Sequence, residues 1–264
     1  MGKHLKFISP DYIETFSKKC KLDWLEVFHK LRGKAKFTAT DFEYYLIASS
    51  LFSSKIEGNS LDANSFQRNR ANKSFHKRKE VQEIEDLVSA YKFASESNLN
   101  KTNFLKAHEI LSKTMVAPKF RGKVRKQPMG VFDSASAKPV YIAVEPEFVN
   151  EELGKLFSDI TELLKRDLSY KEVFYYASMI HLWIALIHPF LDGNGRSARL
   201  LEKWFLVAKL GMSAWSVNSE KYYWDHRPDY YKNIALGFNY YVIKWERCIP
   251  FLIMLPEAVK GTIK

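Results

Sequence analysis

One stretch narrows the options for this chain more than any other. FYYASMIHLWIALIHPFL, Phe174 to Leu191, runs eighteen residues without a formal charge. That is about the length needed to cross a bilayer. It also holds two His, a Ser, two Tyr and a Pro, and no second span of the kind accompanies it. A single span with that polar content reads as the central helix of a globular core, buried all round. Composition supports such a core, since 46% of the 264 residues are hydrophobic and 15% aromatic, which argues against disorder. The opening MGKHLKFISPDYIETF shows no apolar run before a cleavage site and no Ser or Thr at the sixth position. It therefore reads as neither a signal peptide nor a myristoylation site. The expected setting is cytoplasmic, without a membrane partner.

Around that helix the periodicity is mostly helical. Thr40 and Glu43 have the spacing of a capping box, and Phe42, Tyr45, Leu46, Leu51, Phe52 and Ile56 follow at near-helical intervals up to Gly58, a C-terminal glycine. Residues 58–77 are polar and basic and read as a long surface connection. Helices are expected at 79–96, 103–115, from Pro146 to about Leu164, at 171–187, and from Arg196 to about Leu210. Two or three more precede Pro250, with Asn218 or Ser219 as a cap. Between 127 and 144 the β-prone runs Val131–Phe132 and Val140–Val144 flank DSASAK, a hairpin signal. The class is all-α with one small hairpin.

Lys and Arg outnumber Asp and Glu by 41 to 30, giving a net charge of +11. That balance favours anionic partners: nucleic acid, nucleotides or acidic protein surfaces. The run RNRANKSFHKRK, Arg68 to Lys79, could meet nucleic-acid phosphates, but no base-reading module surrounds it, and we read it as a solvated connection. Cys20 and Cys248 are far apart and in no ligand spacing, so neither a disulfide framework nor a zinc site is expected.

The central helix runs into IHPFLDGNGRSARLLEKWF, Ile187 to Phe205. Pro189 helps stop the incoming helix. Gly193 and Gly195 leave backbone amides uncovered, and a helix starting near Arg196 aims its first N–H groups and its dipole into the turn, which attracts anions. Arg196 and Arg199, three apart, could grip phosphate oxygens. Asp192 offers the hard oxygen that a phosphate-bridging Mg²⁺ prefers. His188 is the residue type that takes a proton near neutral pH. Each feature alone is commonplace, but base, acid, amide cradle and cationic clamp within twelve residues are what phosphoryl-type transfer needs.

These residues carry a resemblance. HPFLDGNGRSAR resembles the signature of the Fic (Fic/Doc) family: His-Pro-Phe, any residue, Asp or Glu, Gly-Asn-Gly-Arg, two residues, Arg. Every fixed position is matched. The resemblance implies a helical core with a β-hairpin flap, and transfer of AMP from ATP to a protein hydroxyl. It implies His188 as general base and Asp192 as Mg²⁺ ligand. The amides of Gly193, Asn194 and Gly195, with Arg196, would hold the α- and β-phosphates, and Arg199 the γ-phosphate. SSKIEGN, Ser53 to Asn59, resembles the family's inhibitory motif, in which a Glu, here Glu57, occupies the motif's second arginine. RPDYYKN resembles an element whose aromatics line the adenine site, which nominates Tyr230 and Tyr231. Where many members carry a polar residue and then Gly-Asp, this chain reads GFNYY, Gly237 to Tyr241, leaving Phe238 and Asn239 unassigned.

The implied organisation is an N-terminal helical region (1–100) with an inhibitory helix at about 40–58. A Fic core (101–245) carries the flap at 127–144 and the motif at 188–199, and a helical tail covers 246–264. Implied partners are ATP and a target protein docked on the flap, with a homodimer expected from the family alone. His181 reads as a satisfied core histidine. Alternatives are another Fic-type transfer or removal of AMP at the same site, and, from a different class, a nucleic-acid-binding regulator with a vestigial nucleotide site.

Overall fold

The structure, a computed structural model, describes residues 4–33, 37–72, 78–132 and 139–261. Two short helices, α1 (Ile13–Lys19) and α2 (Trp24–Gly33), open the chain and pack outside the later α8. Helix α3 (Ala39–Ile56) is capped by Thr38, whose side chain accepts from the Asp41 amide while Asp41 reaches back to Thr38. The box therefore closes two residues before the expected Thr40–Glu43 pair. Both pairs satisfy the spacing, and Thr38 is the one with the extended backbone a cap needs. The other end closes as a Schellman turn. The Asn59 amide donates to the Ser54 carbonyl and the Gly58 amide to Lys55, with Gly58 at φ +104°, a region that favours glycine.

The expected connection at 58–77 contains a helix, α4 (Ala63–Asn72). Asp62 caps it by accepting from the Ser65 amide, and Leu61 and Phe66 are buried. With so few apolar anchors the segment has no stripe for a periodicity reading to find. Helix α5 (Arg78–Glu96) follows and buries Ile84, Leu87, Val88 and Tyr91. Helix α6 (Lys101–Leu111), capped by Asn100, ends four residues earlier than expected, in turns through Ser112–Val116.

Strand β1 (Gly130–Phe132) pairs antiparallel with β2 (Pro139–Ile142), Val131 opposite Tyr141, with an irregularity between Val131 and Phe132. The hairpin tip, 133–138, lies outside the described residues, as does 73–77 of the basic run. GFNYY finds its place here: the Ile142 amide donates to the Phe238 carbonyl and the Tyr240 amide to Ile142, so that segment covers the outer edge of β2 at Ile142.

Helix α7 (Pro146–Lys165) starts on its proline and buries Val149, Leu153, Leu156, Phe157, Ile160 and Leu163. The uncharged stretch forms α8 (Tyr170–Ile187), with a capping box of Ser169 and Glu172 and burial on every side. No helix among the described residues is long and apolar enough to cross a membrane. After the motif come α9 (Asn194–Leu210), packed along α8, then α10 (Ser219–Asp225), α11 (Arg227–Ile234) and α12 (Ile249–Gly261), which Pro250 opens. The main hydrophobic core runs from Leu5 to Val259, so the N-terminal helices and the motif region share an interior, and a smaller cluster of Tyr141, Ala143 and Leu186 lies beneath the hairpin.

Candidate active site

The site is the turn between α8 and α9. Helix α8 ends on His188, whose backbone is left-handed at φ 49°. It is the one non-glycine residue with positive φ among the described residues, a conformation that costs roughly 1–2 kcal/mol. The turn then closes on itself: the Phe190 amide donates to Asn194 Oδ1 and Asn194 Nδ2 to the Phe190 carbonyl, each at 2.8 Å. The Asn194 side chain is thus a structural clasp, and only its amide remains for a ligand. Gly193, at φ 80°, takes the N-cap position of α9. The following amides of Asn194, Gly195 and Arg196 lack intrahelical acceptors, as at any helix start.

A second support, invisible in the sequence reading, is His108 of α6. Its Nδ1 accepts from the Gly122 amide at 3.0 Å, which leaves Nε2 to donate to the Asp192 carbonyl at 2.9 Å. Its ring stacks on Phe190 with centroids 3.6 Å apart. Burial pushes its pKa down to about 4, so it stays neutral and keeps one donor and one acceptor. The side chain of Asp192 itself is exposed, with Oδ1 accepting from the Gly193 amide at 2.6 Å.

His188 is half-buried, and its Nδ1 lies 3.2 Å from the Ala185 carbonyl. That bond makes Nδ1 the protonated nitrogen and leaves the Nε2 lone pair free to act as a base. Burial lowers its pKa, and the Arg125 charge adds to the effect, against the opposing pull of the Ala185 carbonyl and Glu57. The imidazole is therefore neutral near pH 7.

Arg199 is fully buried, and each of its guanidinium nitrogens is hydrogen-bonded. Its Nε donates to Ser53 Oγ at 2.9 Å, its Nη2 to the Ser53 carbonyl at 3.0 Å and to Glu57 Oε1 at 2.8 Å, and its Nη1 to the Tyr230 hydroxyl at 3.2 Å. Burial opposes the guanidinium charge, but Tyr230 and Glu57 hold its pKa above the ordinary value. Burial likewise pushes the Glu57 carboxyl up, and Arg199 and Arg196 more than reverse that, so its pKa is lowered. Glycine at 195 permits this approach, because a Cβ there would collide with Glu57 Oε1 and sit 3.2 Å from Arg199 Nη1. Arg196 is buried, lies 3.8 Å from Glu83 of α5, and has no partner for its Nε.

The seam continues inward. Ser49, Ser53 and Glu57 recur four apart on α3 and face charged groups of α9 and α10. Ser49 donates to Glu220, which also accepts from Tyr91 and pairs with the buried Lys203 at 3.0 Å. Tyr230 is 2% exposed and bridges Arg199 to His181, which in turn meets Glu202 at 2.7 Å. This places Tyr230 inside the core. Tyr231 is 42% exposed and donates to the Ile56 carbonyl at the end of α3.

Residues 98–206 of the chain match the Fic/DOC family. The architecture matches solved structures across nearly the whole chain. A Fic family protein from Desulfovibrio desulfuricans G20 superposes with a TM-score of 0.75 at 20% identity, covering 98% of this chain and 75% of that one. A C. elegans Fic-1 fragment gives 0.65 at 19%, covering 96% and 72%. A Fic domain containing signaling protein from Bacteroides thetaiotaomicron gives 0.61 at 16%, covering 96% of each chain. At these identities the likeness concerns the fold. The matched segment accounts for α6 through most of α9, and α3, which delivers Glu57, lies before it in the chain.

No cluster of three or more His, Cys, Asp or Glu able to enclose a metal occurs among the described residues. Asp192 stands alone beside the amide turn. That suits Mg²⁺ held by one carboxylate together with substrate phosphates and water, and not a cation caged by protein alone.

Proposed function

We propose that the protein is a self-inhibited adenylyltransferase that moves AMP from ATP to a hydroxyl of a target protein. The observation that carries the reading is the state of the two motif ends: a neutral His188 with Nε2 free, and an Arg199 whose donors are taken by Ser53, Glu57 and Tyr230. In the active form, the amides of Gly193, Asn194 and Gly195, with Arg196, hold the α- and β-phosphates, and Arg199 holds the γ-phosphate. Asp192 would hold Mg²⁺, which neutralises phosphate charge when bound. Nε2 of His188 takes the proton of a Ser, Thr or Tyr hydroxyl as its oxygen bonds to the α-phosphorus. The bond from that phosphorus to the bridging oxygen breaks, and pyrophosphate leaves.

In the resting form Arg199 cannot serve a carboxylate and a γ-phosphate together, so Glu57 denies ATP its productive geometry. The target segment adds to the hairpin as a strand. Because Phe238–Tyr240 covers β2 at Ile142, β1 is the edge that receives it. Of the two tyrosines, Tyr231 is the one with ring surface left for adenine.

The test uses Glu57→Gly protein with Mg²⁺ and ATP labelled at either the α- or the γ-phosphorus, reading self-modification, with His188→Ala in the same background as control. Label from the α-position alone, lost in the control, supports AMP transfer. Label from the γ-position alone replaces it with a kinase-like transfer. A salt-sensitive nucleic-acid shift with no label from either position favours the regulator reading instead.

A further inference from the structure

Arg125 sits between α6 and β1 with 3% of its surface exposed. Its charge is met by backbone carbonyls from three separate segments. Nε donates to the His188 carbonyl at 2.8 Å, Nη1 to Gln127 at 2.9 Å, and Nη2 to Val144 at 2.5 Å and Ile187 at 3.3 Å. Its own amide donates to the Pro189 carbonyl at 2.9 Å. Ile187 and His188 end the helix that carries the base, while Gln127 and Val144 are the two feet of the hairpin. Tyr141 of β2 adds a parallel tie, its hydroxyl donating to the Leu186 carbonyl at 2.8 Å.

A planar guanidinium offers donors in a fixed fork, so bonds to four carbonyls fix the relative placement of the groups that bear them. One of these carbonyls belongs to His188, whose left-handed backbone persists only where its surroundings over-determine it. None of the four bonds reaches the Gly193–Gly195 turn or Arg199. Arg125 can therefore govern the base and the hairpin without governing the phosphate cradle.

We infer that Arg125 is a positioning residue that holds the His188 imidazole and the target-docking hairpin in one rigid frame, so that a hydroxyl presented on the hairpin arrives at Nε2. This rests on the transfer reading above. It assigns Arg125 a share of orientation, the part of catalysis in which a displacement of roughly 1 Å costs about 10²-fold in rate.

The experiment compares Arg125→Lys and Arg125→Gln with Arg125 in the Glu57→Gly background. It measures ATP binding by calorimetry, transfer of α-labelled AMP at saturating ATP, and the ¹⁵N signals of the His188 ring, assigned by their loss in His188→Ala. Lys keeps the charge but has no fork, so it serves if Gln fails to fold. The expected result is about a 10²-fold fall in kcat, an ATP Kd within about twofold with one site per chain, and His188 passing from one Nδ1–H tautomer to an average of two. The inference is overturned by kcat within threefold of the parent with unchanged His188 signals. It is equally overturned if kcat falls only in proportion to a loss of ATP sites, which would mark a role in folding alone. Should the Arg125 parent transfer no label, the transfer reading fails by itself. The ring spectrum then decides the inference: averaged tautomers with intact ATP binding uphold it, and an unchanged spectrum rejects it.

Discussion

Two helices meet at the N-terminus of α9, and they are held there in opposite ways. Helix α8 brings His188 from a seat that is apolar on nearly every side, with Val173, Ile180, Leu182 and Ile187 at most 1% exposed. Helix α3 brings Glu57 along a polar seam, Ser49, Ser53 and Glu57 against Glu220 and Arg199. Apolar burial is strong, non-directional and independent of charge state. Hydrogen bonds to charged groups contribute less in net terms and depend on each partner being present. On the proposed reading, the residue assigned as base rides on a helix held by apolar burial, whereas the contact of Glu57 with Arg199 rests on hydrogen bonds that a competing anion could replace.

The comparison breaks most sharply at His188. In the Glu57→Gly background, His188→Ala should lower transfer by roughly 10²–10⁴ while ATP still binds, as titration calorimetry would show. Loss of ATP binding in step with transfer would mean that the α8 end also builds the cradle. The kcat/KM profile of Glu57→Gly should fall on the acid side at a pH below 6.5, since the folded pKa of His188 is lowered and that variant removes a charge that raises it.

Next in size is the contrast in stability. Ile180→Ala, inside α8, should cost about 2–5 kcal/mol in chemical denaturation. Ser49→Ala, on the seam, should cost about 1–3 kcal/mol through the buried Glu220 it leaves short of a donor. Equal costs would erase the distinction drawn here.

His108 gives the α8 side of the site a pH signature of its own. Its folded pKa of about 4 lies below the ordinary 6.5, so the unfolded chain binds the proton first as pH falls. Stability from this residue is full above pH 6.5 and declines down to about pH 4, by on the order of 3 kcal/mol in all. His108→Gln should flatten that limb in urea titrations at stepped pH.

The smallest effects fall on the seam. Glu57→Gly should raise transfer by about 5–150-fold, the range of common coupling energies. Ser53→Ala should raise it less, because Glu57 and Tyr230 still hold Arg199. A Ser53→Ala variant as active as Glu57→Gly would move the restraint from the carboxylate to the whole seam. Because the Glu57 pKa is lowered below 4.5, its charge, and with it the pairing, should persist at neutral pH and fail only as pH falls below that value.

Much of the architecture could be read from spacing alone, because amphipathic stripes and caps are local. The apolar positions of α5 and α7 and the proline start of α7 follow that rule. Helix α4 escapes a periodicity reading because a polar helix with one buried anchor, Phe66, has no stripe, and spacing alone cannot place the α3 cap because Thr38 and Thr40 both fit the pattern. The resemblance implies that Tyr230 lines the adenine site, whereas its hydroxyl meets Arg199 and His181 in the core.

By itself the sequence determined the class, the helix that must be buried, and the chemical inventory of the turn from His188 to Arg199. Each of those is a property of neighbouring residues. Only the tertiary structure decided that His108 would support the Asp192 carbonyl 84 positions away, and that Ser53 would meet Arg199 across 146. It likewise decided that Arg125 would join the base to both hairpin feet. Such pairings leave no periodic trace in the chain, because they arise where packed helices bring buried donors and acceptors together and each must find a partner.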